Sequence, residues 1–224
     1  MIFRSAIFSR RDGLSEAQFG EHWRKVHGEL ASHMPGVHRY LQNHIRERLF
    51  EVQPFPSHEA GGISQQWFED IAAMKRCEQS QEYAAVKRDI PNFQGAITIL
   101  VLEGKPVIDL ATPKTAAKLL VLSRLCEPGR DAGAALAQLS ETVSQGLGPK
   151  PLKYVQNFVV DRAHPVSANV PQGKVPVDAM AELWFADRDT LHGWVGSKAG
   201  RAFIHGQPLL QPLGAYAVEE IRIV

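Results

Sequence analysis

The chain repeats itself, and that recurrence limits its possible folds more than any other feature. RYLQN at Arg39–Asn43 returns as KYVQN at Lys153–Asn157, and QQWFED at Gln65–Asp70 returns as ELWFAD at Glu182–Asp187. Tyr154 follows Tyr40 by 114 positions and Trp184 follows Trp67 by 117, so a net insertion of about three residues between the motifs reconciles them. The first register sets Ile7–Arg10 on Val121–Arg124, and the second sets Ala96–Gly104 on Leu213–Ile221. A chain of 224 residues suffices for one large domain or two of roughly 100 residues. The repeat selects two units, residues 1–104 and 116–224, joined by a linker at 105–115 that Pro106 and Pro113 stiffen.

Within a unit the hydrophobic pattern predicts strand, helix, strand, strand, helix, strand. Ile2–Ser9 alternates, with Phe3 and Ile7 on one face and Ala6 and Phe8 on the other. Ser15 with Gln18 forms a capping box, after which Phe19, Trp23, Val26 and Leu30 recur at helical spacing as far as the Pro35–Gly36 turn. A second strand covers about Val37–Arg46, and a third about Ile63–Phe68. Asp70 caps a second helix, broken near Ser80, and Ala96–Leu102 closes the unit. The second unit follows suit, with strands at Leu119–Leu125, Tyr154–Val160, Met180–Phe185 and Tyr216–Ile223 and helices near Asp131–Val143 and from Asp189 to Phe203. Each βαββαβ unit would carry its helices on one sheet face and leave the other bare, so the two sheets are expected to hide their bare faces against each other.

Charge narrows the partners. Lysine plus arginine (25) balances aspartate plus glutamate (24), which leaves no long-range field to recruit nucleic acid or an anionic membrane. No run approaches the ~18 apolar residues of a spanning helix, and the N-terminus lacks a signal-peptide pattern. Cys77 and Cys126 form no CxxC pair, which fits a reducing compartment. The expectation is a cytoplasmic protein that binds no nucleic acid and no membrane.

The run GLSEAQFGEHWRKVHGELASHMPGVHRYLQN resembles the signature of EthD-domain proteins, and so does the later WFED…M…SQEY…D…F segment from Trp67 to Phe93. The resemblance covers most of the first unit and, in weakened form, the second. It implies an α+β fold of two ferredoxin-like βαββαβ repeats closing an intramolecular dimeric α+β barrel. That superfamily includes cofactor-free isomerases, polyketide cyclases and monooxygenases, so the resemblance implies a small-molecule ligand, no cofactor and an arrangement open to homo-oligomers. The second unit departs from the signature: Leu136, Ala137, Glu141 and Leu147 stand against His22, Trp23, His27 and His33.

EHWRKVHGELASHMPGVHRYLQN, Glu21–Asn43, concentrates histidine. On an ideal helix with Phe19 at zero, Trp23, Val26 and Leu30 lie within about 40°, His27 near about +80° and His22 near about −60°. Both imidazoles therefore flank the apolar stripe. That position suits residues lining a pocket between helix and sheet, and equally suits boundary histidines bonded to backbone carbonyls. His22 and His27 are five apart and diverge by about 140°, unlike the i, i+4 spacing of helical metal ligands, so no metal is expected. Tyr40 and Gln42 share one face of the second strand, with Arg39, Leu41 and Asn43 on the other. Tyr40 and Asn43 recur in the second unit, which favours shared structural duties, and Trp67 reads as core or as a wall for a flat ligand.

Two functions follow. The first is an enzyme acting on a small apolar or aromatic metabolite as an isomerase, cyclase or oxygenase. In it His27 moves a proton, Tyr40 or His33 polarises a carbonyl, and His22, Trp23, Asn43 and Trp67 line the site. The second is a non-catalytic binding or accessory protein in which the imidazoles only satisfy buried polar groups.

Overall fold

A computed structural model describes residues 1–127, 129, 131–144, 148–164, 170–205 and 208–224, with backbone only at 138, 141, 142 and 144. Strand β1 (Ile2–Arg10) alternates as expected: Phe3 and Ile7 enter one apolar cluster, Ala6 and Phe8 another. Helix α1 follows in three parts, α-helical at Glu16–Glu21, π-helical at His22–His27 and α-helical again at Gly28–Ser32. Strands β2 (Arg39–Glu51) and β3 (Gly62–Phe68), helices α2 (Ile71–Glu78) and α3 (Gln81–Asp89), and strand β4 (Gln94–Asp109) complete the first half. The second half contains β5 (Ala117–Leu125), α4 (Ala132–Ser144), β6 (Lys153–Asp161), β7 (Ala179–Phe185), α5 (Arg188–Gly196), α6 (Lys198–His205) and β8 (Leu210–Arg222). Among the described residues no helix is long and apolar enough to cross a membrane.

The strands close one barrel in the order β1-β3-β2-β8-β5-β7-β6-β4, every neighbour antiparallel. The halves are hydrogen-bonded to each other along β2–β8 and β4–β6. β4 runs on to Asp109, so Lys105–Asp109, expected as linker, continues the ladder with β6. Pro106 is accommodated where the register shifts between it and Ile108.

Equivalent pairings correct the sequence registers. Ile2 faces Phe68 and Ala117 faces Phe185, so Ile7 corresponds to Leu122, not Val121. Phe3 faces Leu102 and Lys118 faces Val218, which shifts the last strand by one as well. A slip of one residue exchanges the two faces of a strand, and only the corrected register places Phe3 and Lys118 together inside the barrel. At the second strands Tyr40 faces Gln66 and Tyr154 faces Leu183. There the side-chain bonds repeat too. Gln42 and Gln156 each donate to the hydroxyl of the nearby tyrosine, and Asn43 and Asn157 each donate to a carbonyl of the next strand.

Both halves supply the barrel interior, with Phe3, Ile7, Ile63 and Leu100 meeting Leu120, Leu122, Met180 and Val218. Within it lies a charged group. Lys118, 2% exposed, is 2.6 Å from carboxylate oxygens of both Glu182 and Glu220, donates to Asn43 at 2.8 Å, and sits 4.7 Å from the Trp184 ring. Removing one member of a buried ionic group strands the others, a cost of about 3–5 kcal/mol. Lys118→Met is therefore expected to lower unfolding free energy by that order in urea titrations. Adding Glu182→Gln, the residue type that the first half has at Gln65, should recover at least half of the loss. Equal stability of Lys118→Met and the unsubstituted chain would contradict this role.

Candidate functional site

The site begins with the cap of α1. The Ser15 side chain accepts from the Gln18 N–H, and the Gln18 side chain accepts from the Ser15 N–H at 2.9 Å, as the capping box predicts. One turn later the helix departs from the ideal wheel. The Gly28 N–H donates to the Trp23 carbonyl, five residues back, within the π-helical segment. Such a turn holds one more residue than an α-turn, so positions five apart come round to the same side. Val26, expected on the apolar stripe, is turned out to 45% exposure, while Trp23 is fully buried and His27 is 5% exposed.

The same turn overturns the predicted divergence of His22 and His27, because both rings meet one carboxylate. His27 Nδ1 lies 2.9 Å from Asp89 Oδ2, and His22 Nε2 lies 2.9 Å from Asp89 Oδ1. Asn92 also donates to Oδ1, at 3.0 Å. Burial alone would raise the Asp89 carboxyl, but the hydrogen bonds from His27, Asn92 and His22 outweigh it and hold the group well below the usual carboxylate range. Burial depresses His27 below an ordinary imidazole against the pull of Asp89. Near neutral pH the arrangement is thus a neutral imidazole donating Nδ1–H to an ionised carboxylate, which leaves the His27 Nε2 lone pair free. Phe93 stacks on His22 at 5.2 Å and packs against His27 at 4.7 Å.

Beside this lies a second network. The Trp23 indole N–H donates to the Tyr40 hydroxyl at 3.2 Å, Gln42 donates to the Trp23 carbonyl at 2.8 Å, and His44 bonds Gln42 at 3.0 Å while packing 4.2 Å from the indole ring. Gly62 makes room for that indole, since a Cβ there would stand 2.6 Å from it. Burial raises Tyr40 to about 12, despite the hydrogen bonds from Gln42 and Trp23, so its phenol keeps its proton. A cavity of about 370 Å³, lined by Arg10, Glu16, Phe19, Ile45 and Gly61 among others, opens on the other side of Phe19. The Phe19 ring, part of that lining, packs on Trp23 at 5.8 Å and on Phe93 at 6.0 Å.

The structure divides the residues that the sequence grouped. His22, His27, Trp23 and Tyr40 share the layer between helices and sheet. Asn43 and Trp67 face the barrel interior instead, because strand side chains alternate: Asn43 donates to Gln65 at 2.9 Å, and Trp67 stacks on Phe3 at 5.0 Å beneath the Arg39 guanidinium. His33 is exposed at the end of α1, its ring against the Glu29 carbonyl at 2.9 Å, which places it in solvent. Asp89 and Asn92 were not singled out from the sequence, since they lie 62 or more positions from His27; Asp89 and Phe93 stood unassigned in the D…F end of the second motif. In the second half the Leu136 carbonyl takes the place of the Trp23 carbonyl, receiving Gln156, so the helices match one residue away from the sequence register. The Glu141 side chain and Leu147, set against His27 and His33, lie outside the described residues.

Buried neutral imidazoles make stability depend on pH. Burial and the nearby Arg46 push His44 down to about 4, below its ordinary 6.5. The folded state binds fewer protons than the unfolded chain between those values, so this stability is complete above pH 6.5 and is lost as pH falls toward 4; His27 acts in the same direction. From His44 alone the loss between pH 7 and pH 4.5 is about 2 kcal/mol. The denaturant midpoint should fall over that range, and less steeply in His44→Gln. A midpoint independent of pH would refute the assignment.

Comparisons with known proteins agree with this frame. The EthD domain family model matches residues 11–95, a span that contains His22, Trp23, His27, Tyr40, Asp89 and Phe93. No curated protein matches the chain. Among solved structures, an anthrone oxidase-like protein superposes with a TM-score of 0.59 at 8% identity, covering 99% of this chain and 93% of its own. A provisionally assigned monooxygenase from Fusobacterium nucleatum gives 0.56 at 11% identity, covering 98% and 93%. Another from Lactobacillus acidophilus gives 0.52 at 12%, covering 100% and 94%. Likeness at such identity concerns the fold alone, the eight-stranded α+β barrel. Within the chain, residues 11–95 are the stretch similar to the EthD domain family.

Proposed function

We propose that the first half performs proton transfer on a small apolar or aromatic metabolite, in the manner of an isomerase or cyclase, with His27 as the general base. The observation that carries this reading is the single carboxylate of Asp89 holding both His27 and His22 against Phe93, beside an apolar cluster that includes Phe8, Phe19 and Trp23. Asp89 fixes the His27 tautomer and stabilises the imidazolium that forms when Nε2 takes a proton. An isomerisation or cyclisation returns that proton to another atom of the same molecule, so the reaction balances without an electron acceptor. Tyr40, still protonated, is the hydrogen-bond donor available to an enolate oxygen, and the layer's aromatic rings suit a flat substrate. We further take the chain to be a tandem pair of repeats, of which the first retains the polar site. The repeated Tyr–Gln–Asn bonding supports this, as does the apolar character of the second half's helix layer, with Leu136, Tyr154, Trp194 and Phe203.

The low exposure of His27 favours a second reading, in which it only satisfies buried Asp89. His27→Gln separates the two, because its amide can still donate to Asp89 while offering no base. A panel of small enones, lactones and phenols in deuterated water, followed by NMR, should show enzyme-dependent C–H to C–D exchange that falls at least about 100-fold in His27→Gln at an unchanged unfolding midpoint. Undiminished exchange in that variant would end the catalytic assignment. Loss of stability with no exchange activity in either protein would favour the accessory role.

A further inference from the structure

The barrel strands do not pair along their full length. Strand β4 is matched with β1 from Gln94 to Leu102, whereas β6 joins its other edge only from Val101 onward. Further back, that edge is met by the connection between β6 and β7. Ile97 donates to the Pro171 carbonyl at 3.0 Å and accepts from the Gly173 N–H at 2.7 Å, with Gln172 in a parallel bridge to it. The connection then leaves the ladder. The Lys174 N–H donates to the Ser57 hydroxyl at 2.8 Å, and the Val175 N–H donates to the Thr98 hydroxyl at 3.2 Å.

Between these two junctions one residue of the edge is left over. Peptide groups alternate along a strand, so the residue two positions after Ile97 directs its N–H and C=O to the same side as Ile97 does. That residue is Ile99, and among the described residues neither β6 nor the connection pairs with it. Ile99 is 7% exposed, and backbone groups so placed need a partner. A cavity of about 430 Å³ opens at the gap, with Ile99, Arg162, Lys174 and Asp178 in its lining. That volume lies within the roughly 300–1,000 Å³ of small-molecule sites.

The polar side chains around the cavity are mostly engaged elsewhere. The Thr98 hydroxyl lies 2.8 Å from His58 Nε2. Asp178 accepts from Arg162 on one carboxylate oxygen and from the Leu125 N–H on the other. Lys174 is exposed and enters no ion pair among the described residues. What remains is one backbone donor, one backbone acceptor and one ammonium group.

We propose that this cavity is a binding site for a small N-acyl amino acid. The ligand's secondary amide meets Ile99 as an added strand would, its C=O accepting the Ile99 N–H and its N–H donating to the Ile99 C=O. Its carboxylate meets Lys174 and the Arg162 donors that Asp178 leaves free. Leu100, Val175 and Pro176 supply apolar surface for the acyl group. A plain carboxylate would leave the Ile99 C=O unmet, and a plain amide would leave Lys174 unused. The lining contains none of His22, His27, Tyr40 and Asp89, so this site stands apart from the proton chemistry proposed above and does not depend on it.

The test is an NMR titration of the isotope-labelled full-length chain with hippurate, which is N-benzoylglycine. The Ile99 backbone amide should shift saturably. Hippuramide, without the carboxylate, and N-benzoylsarcosine, without the amide N–H, should each bind at least about fivefold more weakly. Lys174→Ala should weaken hippurate by a similar factor, and the exposure of Lys174 leaves the fold of that variant intact. Lys150→Ala, at another exposed lysine of the second half, should leave the affinity within about twofold. An Ile99 amide unmoved up to about 10 mM hippurate overturns the proposal. So does equal affinity for either analogue, or unchanged affinity in Lys174→Ala. Equal weakening by Lys150→Ala and Lys174→Ala would reduce the attraction to general surface charge and overturn it too.

Discussion

Each half, taken alone, ends in two sheet edges. In the first they are β2 and β4, in the second β6 and β8, and each would present a row of unpaired backbone N–H and C=O groups. Antiparallel pairing of β2 with β8 and of β4 with β6 removes all four edges at once and rolls the bare faces into one shared interior. Everything else follows from that closure. The helices are forced to the outside, where they form two separate layers, and each layer is free to specialise because the barrel needs only its sheet face.

Inside the barrel the halves are alike in strand pairing and unlike in charge. Phe3 stacks on Trp67 where Lys118 sits on Trp184, Gln65 stands where Glu182 does, and Gly104 lies where the shifted last-strand register puts Glu220. One ammonium group meets two carboxylates and is completed by Asn43 across the junction. Pairing a second half with another second half would bury two such ammonium groups against four carboxylates, an excess of negative charge in a poorly screened interior. The charge pattern therefore favours unlike halves as partners, which is what a single chain joining both requires.

Much of this was legible in the sequence, and the failures share a physical cause. Element order, the Ser15 and Asp70 caps and the break near Ser80 could be read because they depend on periodicity and local bonding, whereas the barrel was implied by the resemblance to EthD-domain proteins. The strand registers slipped by one because the repeated motifs fix only β2, β3, β6 and β7; the outer strands carry general apolar alternation, which looks the same after a shift. The wheel misplaced Val26 and separated the two histidines because it assumes one pitch throughout. Asp89 escaped notice since nothing near it in the chain refers to His27. His33, Asn43 and Trp67 were grouped with the site through sequence neighbourhood, which alternation and the helix end then dispersed.

The π-turn connects that misreading to the chemistry. A continuous α-helix through Glu16–Ser32 would direct His22 and His27 about 140° apart, and one carboxylate could reach only one of them. Inserting a residue brings both rings to Asp89, at the expense of turning Val26 into solvent, where a side chain of that size loses about 1 kcal/mol or more of burial. The second half keeps a regular helix at the matching place, and its Gln156 still reaches a backbone carbonyl and a tyrosine hydroxyl. The irregular turn is thus dispensable for the fold. What it adds in the first half is the convergence of two imidazoles on one buried negative charge, which is why this layer, and not its regular counterpart, is the place to look for a reaction.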